Sequence, residues 1–280
     1  MATGMAASLA AEAVPRTARD CNSEAMTDHD DVVRASFSRQ VGLFSGPDSP
    51  FVRRAGGTVV ERLEPLGSDM VALDVACGAG HAAEVVAPEV RLVMGIDLTV
   101  ALLELGAARL AAANVRNVVL QEGNAEALPF VADSFDLVYC LAALHHIGDP
   151  VRAVEEMTRV CRPGGRVVLS DLITPSADVR DTFDGLHRRL DPSHGHACLE
   201  AELVDLLPEG HELTYGATAS TRMPISIAYT EQSDTEAVEA ALRAELAGGP
   251  PTGLEPSEAD DGTLLVAFWT STVHATWPAT

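Results

Sequence analysis

The sequence predicts an α/β fold built on a doubly wound, largely parallel sheet, and two observations carry that expectation. One is a βαβ unit over residues 70–98, MVALDVACGAGHAAEVVAPEVRLVMGIDL, where an apolar run, a glycine turn, a small-residue helix and a second apolar run follow in order. The other is the fivefold alternation of strand and helix patterns between residues 71 and 172. Ligands of such a sheet lie along the C-terminal strand ends.

In chain order, residues 1–28 are Ala- and Thr-rich with no sustained period and read as a disordered leader, with Met5 or Met26 as alternative starts; residues 29–280 form one domain. An acidic first turn and helical apolar spacing predict a helix over residues 30–44, and a second is expected over residues 51–63. Both are placed to fold over a ligand at the end of the first strand, residues 71–76. Gly78 and Gly80 then supply a tight turn that lets a ligand approach the main chain, and N–H groups at the helix start attract anions. The second strand, residues 91–96, closes on Asp97, which is 23 positions after Asp74 and placed to accept both hydroxyls of a ribose. Thr99 is the expected N-cap of a helix to Ala113 that turns Leu102, Leu103, Ala107 and Leu110 to the sheet.

Residues 117–121 form the third strand and lead to GNAEALPF; residues 134–140 form the fourth and lead to LAALHHIGDP. Asp149 caps a helix with Pro150 at its first position, and RPGG ends it before the fifth strand, residues 166–172. Residues 174–207 are helical in pattern but break at RRLDPSHGH, so residues 174–210 read as a lid, and residues 211–218 as a sixth strand. Residues 219–262 read as a second insert, with the capping box Ser233-x-x-Glu236 opening a helix to Ala247 and an acidic loop after it. The last strand is expected over residues 263–271.

Composition narrows the partners. With 280 residues, 47% of them apolar, the chain has material for one sizeable core. Its 19 basic residues, all arginine, face 41 acidic ones, and a formal net charge of -22 repels nucleic acid and anionic membrane surfaces. Without lysine there is no Walker phosphate-binding lysine, no Schiff base and no tyrosine–lysine dehydrogenase pair. Cys21, Cys77, Cys140, Cys161 and Cys198 form no C-x-x-C pair, which suggests neither a zinc site nor a disulfide framework and fits a reducing cytoplasm. No signal-peptide pattern and no apolar run of membrane-spanning length is found, so a soluble, cytoplasmic protein without membrane insertion is expected.

Gly78-x-Gly80-x-x-Ala83 satisfies the dinucleotide fingerprint and by itself does not choose between NAD and another nucleoside. The ordered set DVACGAG, GID, GNAEALPF, SFDLVYCLAALHH and RPGGRVVLSD, over roughly residues 35–215, resembles the successive motifs of class I S-adenosylmethionine-dependent methyltransferases, particularly the small-molecule and ubiquinone–menaquinone biosynthesis type. The resemblance implies a Rossmann-like seven-stranded sheet, mostly parallel with an antiparallel last strand, plus a helical lid. It also implies S-adenosyl-L-methionine as cofactor. Asp74 and backbone groups at Ala76, Gly78 and Gly80 would hold its methionine end, Asp97 its ribose and Leu98 its adenine face. Asn124 and Ala125 would meet the adenine edge, and the carbonyls of Cys140 and Leu141 the amino group. Asn124 stands where the family usually has Asp, and an amide still accepts and donates.

His145 and His146 lie where the fourth strand opens into the site. His145 and His194 are the candidate bases; His146, Asp191 and Arg188 are candidates to face substrate, the segment RRLDPSH resembling a lid motif of some bacterial members. His194-x-His196 has the alternation of a metal pair but no acid-rich cluster beside it, and no metal is expected. The expected reaction is methyl transfer to an oxygen, nitrogen or carbon of a small, fairly apolar molecule by in-line displacement. The alternatives are the same fold and cofactor used for cyclisation or decarboxylation, an NAD-dependent oxidoreductase, and a degenerate binding protein. A homodimer is compatible with the sequence.

Overall fold

The computed structural model describes residues 28–45 and 58–279. The expected leader up to residue 27, and residues 51–57 of the second expected helix, lie outside them.

Five apolar runs become the strands β1 (Val71–Val75), β2 (Leu92–Asp97), β3 (Val118–Glu122), β4 (Phe135–Leu141) and β5 (Cys161–Leu172), paired in parallel in the order β3-β2-β1-β4-β5. Apolar residues without alternation suit them because β1, β2 and β4 are covered on both faces. Beyond β5 lie β6 (Glu212–Pro224), β7 (Ser257–Glu258) and β8 (Leu264–Thr276); β8 runs antiparallel between β5 and β6. The sheet is therefore mostly parallel with an antiparallel last strand, but among the described residues it has eight strands rather than seven. The extra one, β7, forms where the loop before β8 folds back along Leu264 and Leu265.

The helices are α1 (Asp28–Arg39), α2 (Thr58–Leu63), α3 (His81–Val86), α4 (Val100–Ala112), α5 (Pro150–Val160), α6 (Arg180–Leu190), α7 (Glu200–Asp205) and α8 (Thr235–Leu246). Side chains alternate across the sheet: Leu73, Val75, Met94, Ile96 and Val138 pack on one face with Val154 and Met157 of α5. Ala72, Val93, Leu137, Tyr139 and Val168 pack on the other with Val59 and Leu63 of α2 and Ala83 and Val86 of α3. A third cluster joins Phe183 and Leu186 of α6 to Val238 and Leu242 of α8 and to Val266 and Phe268 of β8. It anchors the segment after β5 to the outer strands.

Several boundaries differ from expectation. The first helix ends at Arg39, and residues 41–44 tighten into a 3-10 turn that buries Phe44. Thr99 stands at the N-cap of α4, but its hydroxyl makes no cap; it gives its own N–H to Asp97 instead. Asp234, not Ser233, caps α8, because Ser233 Oγ donates to the Leu190 carbonyl and so fastens α8 to the end of α6. β5 starts at Cys161, opposite Phe135, ahead of a register shift. β6 runs on to Pro224, paired with β8 throughout, which removes residues 219–224 from the second insert. No helix among the described residues is long and apolar enough to cross a membrane.

Candidate active site

After β1 the chain alternates through left-handed positions, with φ of 56° at Ala76, 54° at Gly78 and 68° at Gly80. Glycine takes two of these at no steric cost; at Ala76 the conformation is strained, a common mark of a ligand-binding turn. The turn presents the Gly78 N–H to Asp97 Oδ2 at 2.7 Å, while Asp97 Oδ1 accepts the Thr99 N–H at 2.8 Å. One carboxylate thus ties the turn to the start of α4, and each oxygen keeps a further acceptor position. Burial pushes the Asp97 pKa up, and the two N–H groups pull against it.

The ends of β1, β2, β4 and β5, together with α1 and the segment after α6, enclose a cavity of about 370 Å³. Ala76, Gly78, Asp97, Leu98, Asn124, Ala125, Leu141, His145, His146, Asp191 and His194 all line it. Four expected site residues do not. Asp74 lies beneath the turn, 2% exposed, where burial pushes its pKa to about 8. Gly80 is buried as the left-handed N-cap of α3, with Leu120 against it. The Cys140 side chain is enclosed in the core, and burial drives its thiol well above the ordinary range. Arg188 is exposed and donates to the Gly195 carbonyl at 2.9 Å, bracing the loop rather than facing the cavity.

Asn124 reaches the wall with its side chain committed: Oδ1 accepts the Glu126 N–H at 2.8 Å and Nδ2 donates to Asp30 at 3.1 Å. Asp191 is committed as well. Its Oδ1 accepts from Ser36 Oγ, Ser193 Oγ and the Ser193 N–H, and its Oδ2 accepts from Gln40 Nε2 at 2.9 Å. It therefore latches α1 to the loop after α6. Arg34 extends that stitching to the Leu98 carbonyl and Glu122, so α1 spans the mouth of the cavity from the Asp97 end to the histidines.

His145 forms the best-defined polar pair in the cavity. Its Nδ1 donates to Asp171 Oδ1 at 2.6 Å, and its backbone N–H donates to Asp171 Oδ2 at 2.9 Å. Burial disfavours the imidazolium, but the Asp171 charge and hydrogen bond outweigh it, with Asp191 and Asp184 adding to them, and the His145 pKa lies above the ordinary value. The same interactions overcome burial at Asp171 and hold its carboxyl below the ordinary range.

His146 packs against His145 with ring centroids 4.1 Å apart and planes tilted by 44°, and His194 lies 5.6 Å from His145. Burial and the neighbouring histidine push His146 down. His194 Nε2 bonds Asp184 at 2.7 Å, yet burial prevails and its pKa is lowered too. His187, behind it, donates Nδ1–H to the Phe183 carbonyl and is pushed to about 3 by burial. Among these four rings, His145 alone is raised as a proton acceptor. The described residues contain no group of three or more His, Cys, Asp or Glu arranged to hold a metal ion.

Asp171, Asp184, His187, Asp30 and Gln40 carry no site role in the sequence reading, although Asp171 ends the stretch RPGGRVVLSD. Asp171 leaves one signal: it stands next to last in β5, much as Asp97 stands last in β2. The others come from helices, or for Gln40 from the residue just past one, whose sequences give no hint of the partner.

Residues 73–169 match the model of a methyltransferase domain. An uncharacterized methyltransferase of Bacillus subtilis, YcgJ, is 42% identical over 123 residues, covering 44% of this chain and 49% of that protein. A demethylmenaquinone methyltransferase of Clavibacter sepedonicus is 30% identical over 164 residues, covering 58% of this chain and 64% of that one. By sequence the chain spans about half the length of the curated relatives it matches. The crystal structure of YcgJ superposes with a TM-score of 0.70 at 23% identity, covering 81% of this chain and 100% of that one, and so shares its fold.

Proposed function

We infer the reaction from the family: the chain belongs to the class I S-adenosylmethionine-dependent methyltransferases, and we propose that it transfers a methyl group from S-adenosylmethionine to a small, fairly apolar acceptor. The observation that carries this is the cavity that joins Asp97 at one end to the His145–Asp171 pair at the other.

The residues present fit the cofactor. Asp97 keeps an acceptor position on each oxygen, to which we assign the ribose hydroxyls, and the main chain at Ala76 and Gly78 and half-buried Leu98 reach the wall, where we assign the methionine end and the adenine face. Since the Asn124 side chain is committed to Glu126 and Asp30, adenine-edge recognition falls to backbone groups at Asn124 and Ala125. When bound, the cofactor supplies an activated methyl on a sulfonium, so the protein's task is alignment, exclusion of water and control of one proton.

His145 performs the last task. With Nδ1–H given to Asp171, its other nitrogen, Nε2, takes the proton of an acceptor hydroxyl or amine, and Asp171 stabilises the imidazolium that forms. His194 and Asp184 position the histidine cluster, and α1 closes the mouth through Asp191. Phe37, Leu172, Leu190, Ile227 and Phe268 on the wall favour an apolar acceptor. The test is incubation with methyl-deuterated S-adenosylmethionine and a panel of phenols, enols and amines, followed by mass spectrometry. Label in a product supports the transferase; conversion of an acceptor without label sinks it in favour of cyclisation or decarboxylation.

A further inference from the structure

We propose that Asp74 is a neutral carboxylic acid in the ligand-free protein and ionises when a sulfonium enters the cavity, so that S-adenosylmethionine binds with release of a proton and its thioether product does not. The proposal rests on the cofactor assigned above.

Geometry supplies the reason. Asp74 sits at the C-terminal end of β1 between Gly95 of β2 and Tyr139 of β4, and is 2% exposed. Among the described residues its Oδ2 has no partner of good hydrogen-bond geometry; the Tyr139 hydroxyl, itself otherwise unpartnered, lies close enough only for a weak pull on it. The titratable groups acting with it are Asp97 at the end of β2, Cys77 in the turn, and Tyr139 and Cys140 in β4, and none is a cation. From α3, only the Ala83 backbone favours its carboxylate. Glu84 of that helix pairs with Arg109 of α4, which also donates to the Ala79 carbonyl, and His81 turns to the Phe44 carbonyl.

A carboxylate so buried, with no cation beside it among the described residues, is poorly stabilised, so the proton stays on. Burial first, and the Asp97 charge, hold the carboxyl near 8, with Tyr139 and Ala83 opposing. A cation held against Ala76 and Cys77, which line the cavity two and three positions after Asp74, would supply the missing counter-charge; the carboxyl O–H bond would then break and the proton go to the buffer. The thioether product carries no such charge, so with it bound Asp74 would keep its proton. The same carboxyl thus favours the charged donor over its spent product.

Both ligands are available, which makes the test direct. Titration calorimetry of the full chain at pH 7, in phosphate and in Tris, gives the number of protons exchanged from the dependence of the heat on buffer ionisation. The expected result is about one proton released per S-adenosylmethionine and none per S-adenosylhomocysteine. Between pH 7 and pH 6 the Kd for S-adenosylmethionine should rise about tenfold while that for the product stays level. Asp74→Asn, which imitates the neutral acid, should abolish both the release and the pH dependence; Tyr139→Phe should move the inflection to higher pH. Equal proton counts for the two ligands, or release that persists in Asp74→Asn, overturn the proposal and leave the methyltransferase reading intact. Failure of both ligands to bind overturns the two together.

Discussion

Replacing Gly106 with alanine sets two effects of opposite sign against each other. Gly106 lies inside α4, where alanine is favoured over glycine by about 1 kcal/mol. A Cβ there would stand 2.6 Å from the Ala79 carbonyl oxygen, 3.0 Å from its carbon and 2.7 Å from Leu120 Cδ1. Leu120 can rotate away. Ala79 is main chain of the glycine turn, and its oxygen is already held at 2.7 Å by Arg109 Nη2. Overpacking against such a neighbour costs about 1–3 kcal/mol, so Gly106→Ala should lose about 1 kcal/mol net. Because α4 relieves the clash by backing away from the turn that Asp97 ties to it, cofactor affinity should fall as well. Gly185 in α6 is the control: a Cβ there meets nothing within 4 Å, and Gly185→Ala should gain about 0.5–1 kcal/mol. Urea unfolding at pH 7 measures both. A Gly106→Ala midpoint above the wild-type value refutes the close-approach argument.

Asp97→Ala should weaken S-adenosylmethionine binding by about 1–3 kcal/mol in calorimetry and also lower the melting temperature, because Gly78 and Thr99 lose an acceptor. Asp171→Asn should lower kcat by about 10²–10⁴-fold while leaving cofactor Kd within about twofold; equal losses in both parameters would speak for a structural role only. His145 must be neutral to act as a base and its pKa is raised, so kcat/KM should climb with pH through an inflection above the ordinary histidine value, and Asp171→Asn should move that inflection down. Asp184→Ala deprives His194, His196 and the Ala197 N–H of their acceptor and should cost about 2–3 kcal/mol in thermal or urea unfolding. The Asp184 pKa is lowered in the folded chain, because its partners overcome burial. Its stabilisation is therefore present above the unfolded carboxylate pKa and lost as pH falls through the folded one, and the variant's deficit should shrink in acid.

The parallel half of the sheet was legible because its signals are local. Apolar strand runs, glycines at left-handed positions and the Asp149–Pro150 helix start all depend on residues within a few positions of one another, and each stands where it was expected. Asp97 was legible for the same reason. Its double duty was not, since holding Gly78 and Thr99 together requires β2 to lie beside β1. After β5 local signals mislead: Ser233 has the pattern of a capping box, but its hydroxyl goes to Leu190, 43 residues away in sequence.

The chemistry divides along the same line. From the sequence alone came the fold, the glycine turn after the first strand and the histidines after the fourth, because motif spacing follows from backbone geometry. Tertiary structure alone decided what those side chains do. It paired His145 with Asp171 across the β4–β5 ends, turned Asp191 into a latch on α1, committed Asn124 to Asp30 and buried Asp74 with no cation beside it among the described residues. Each of those outcomes depends on which group lies across a gap in space and on how much water is excluded there, and neither is a property of residues adjacent in the chain.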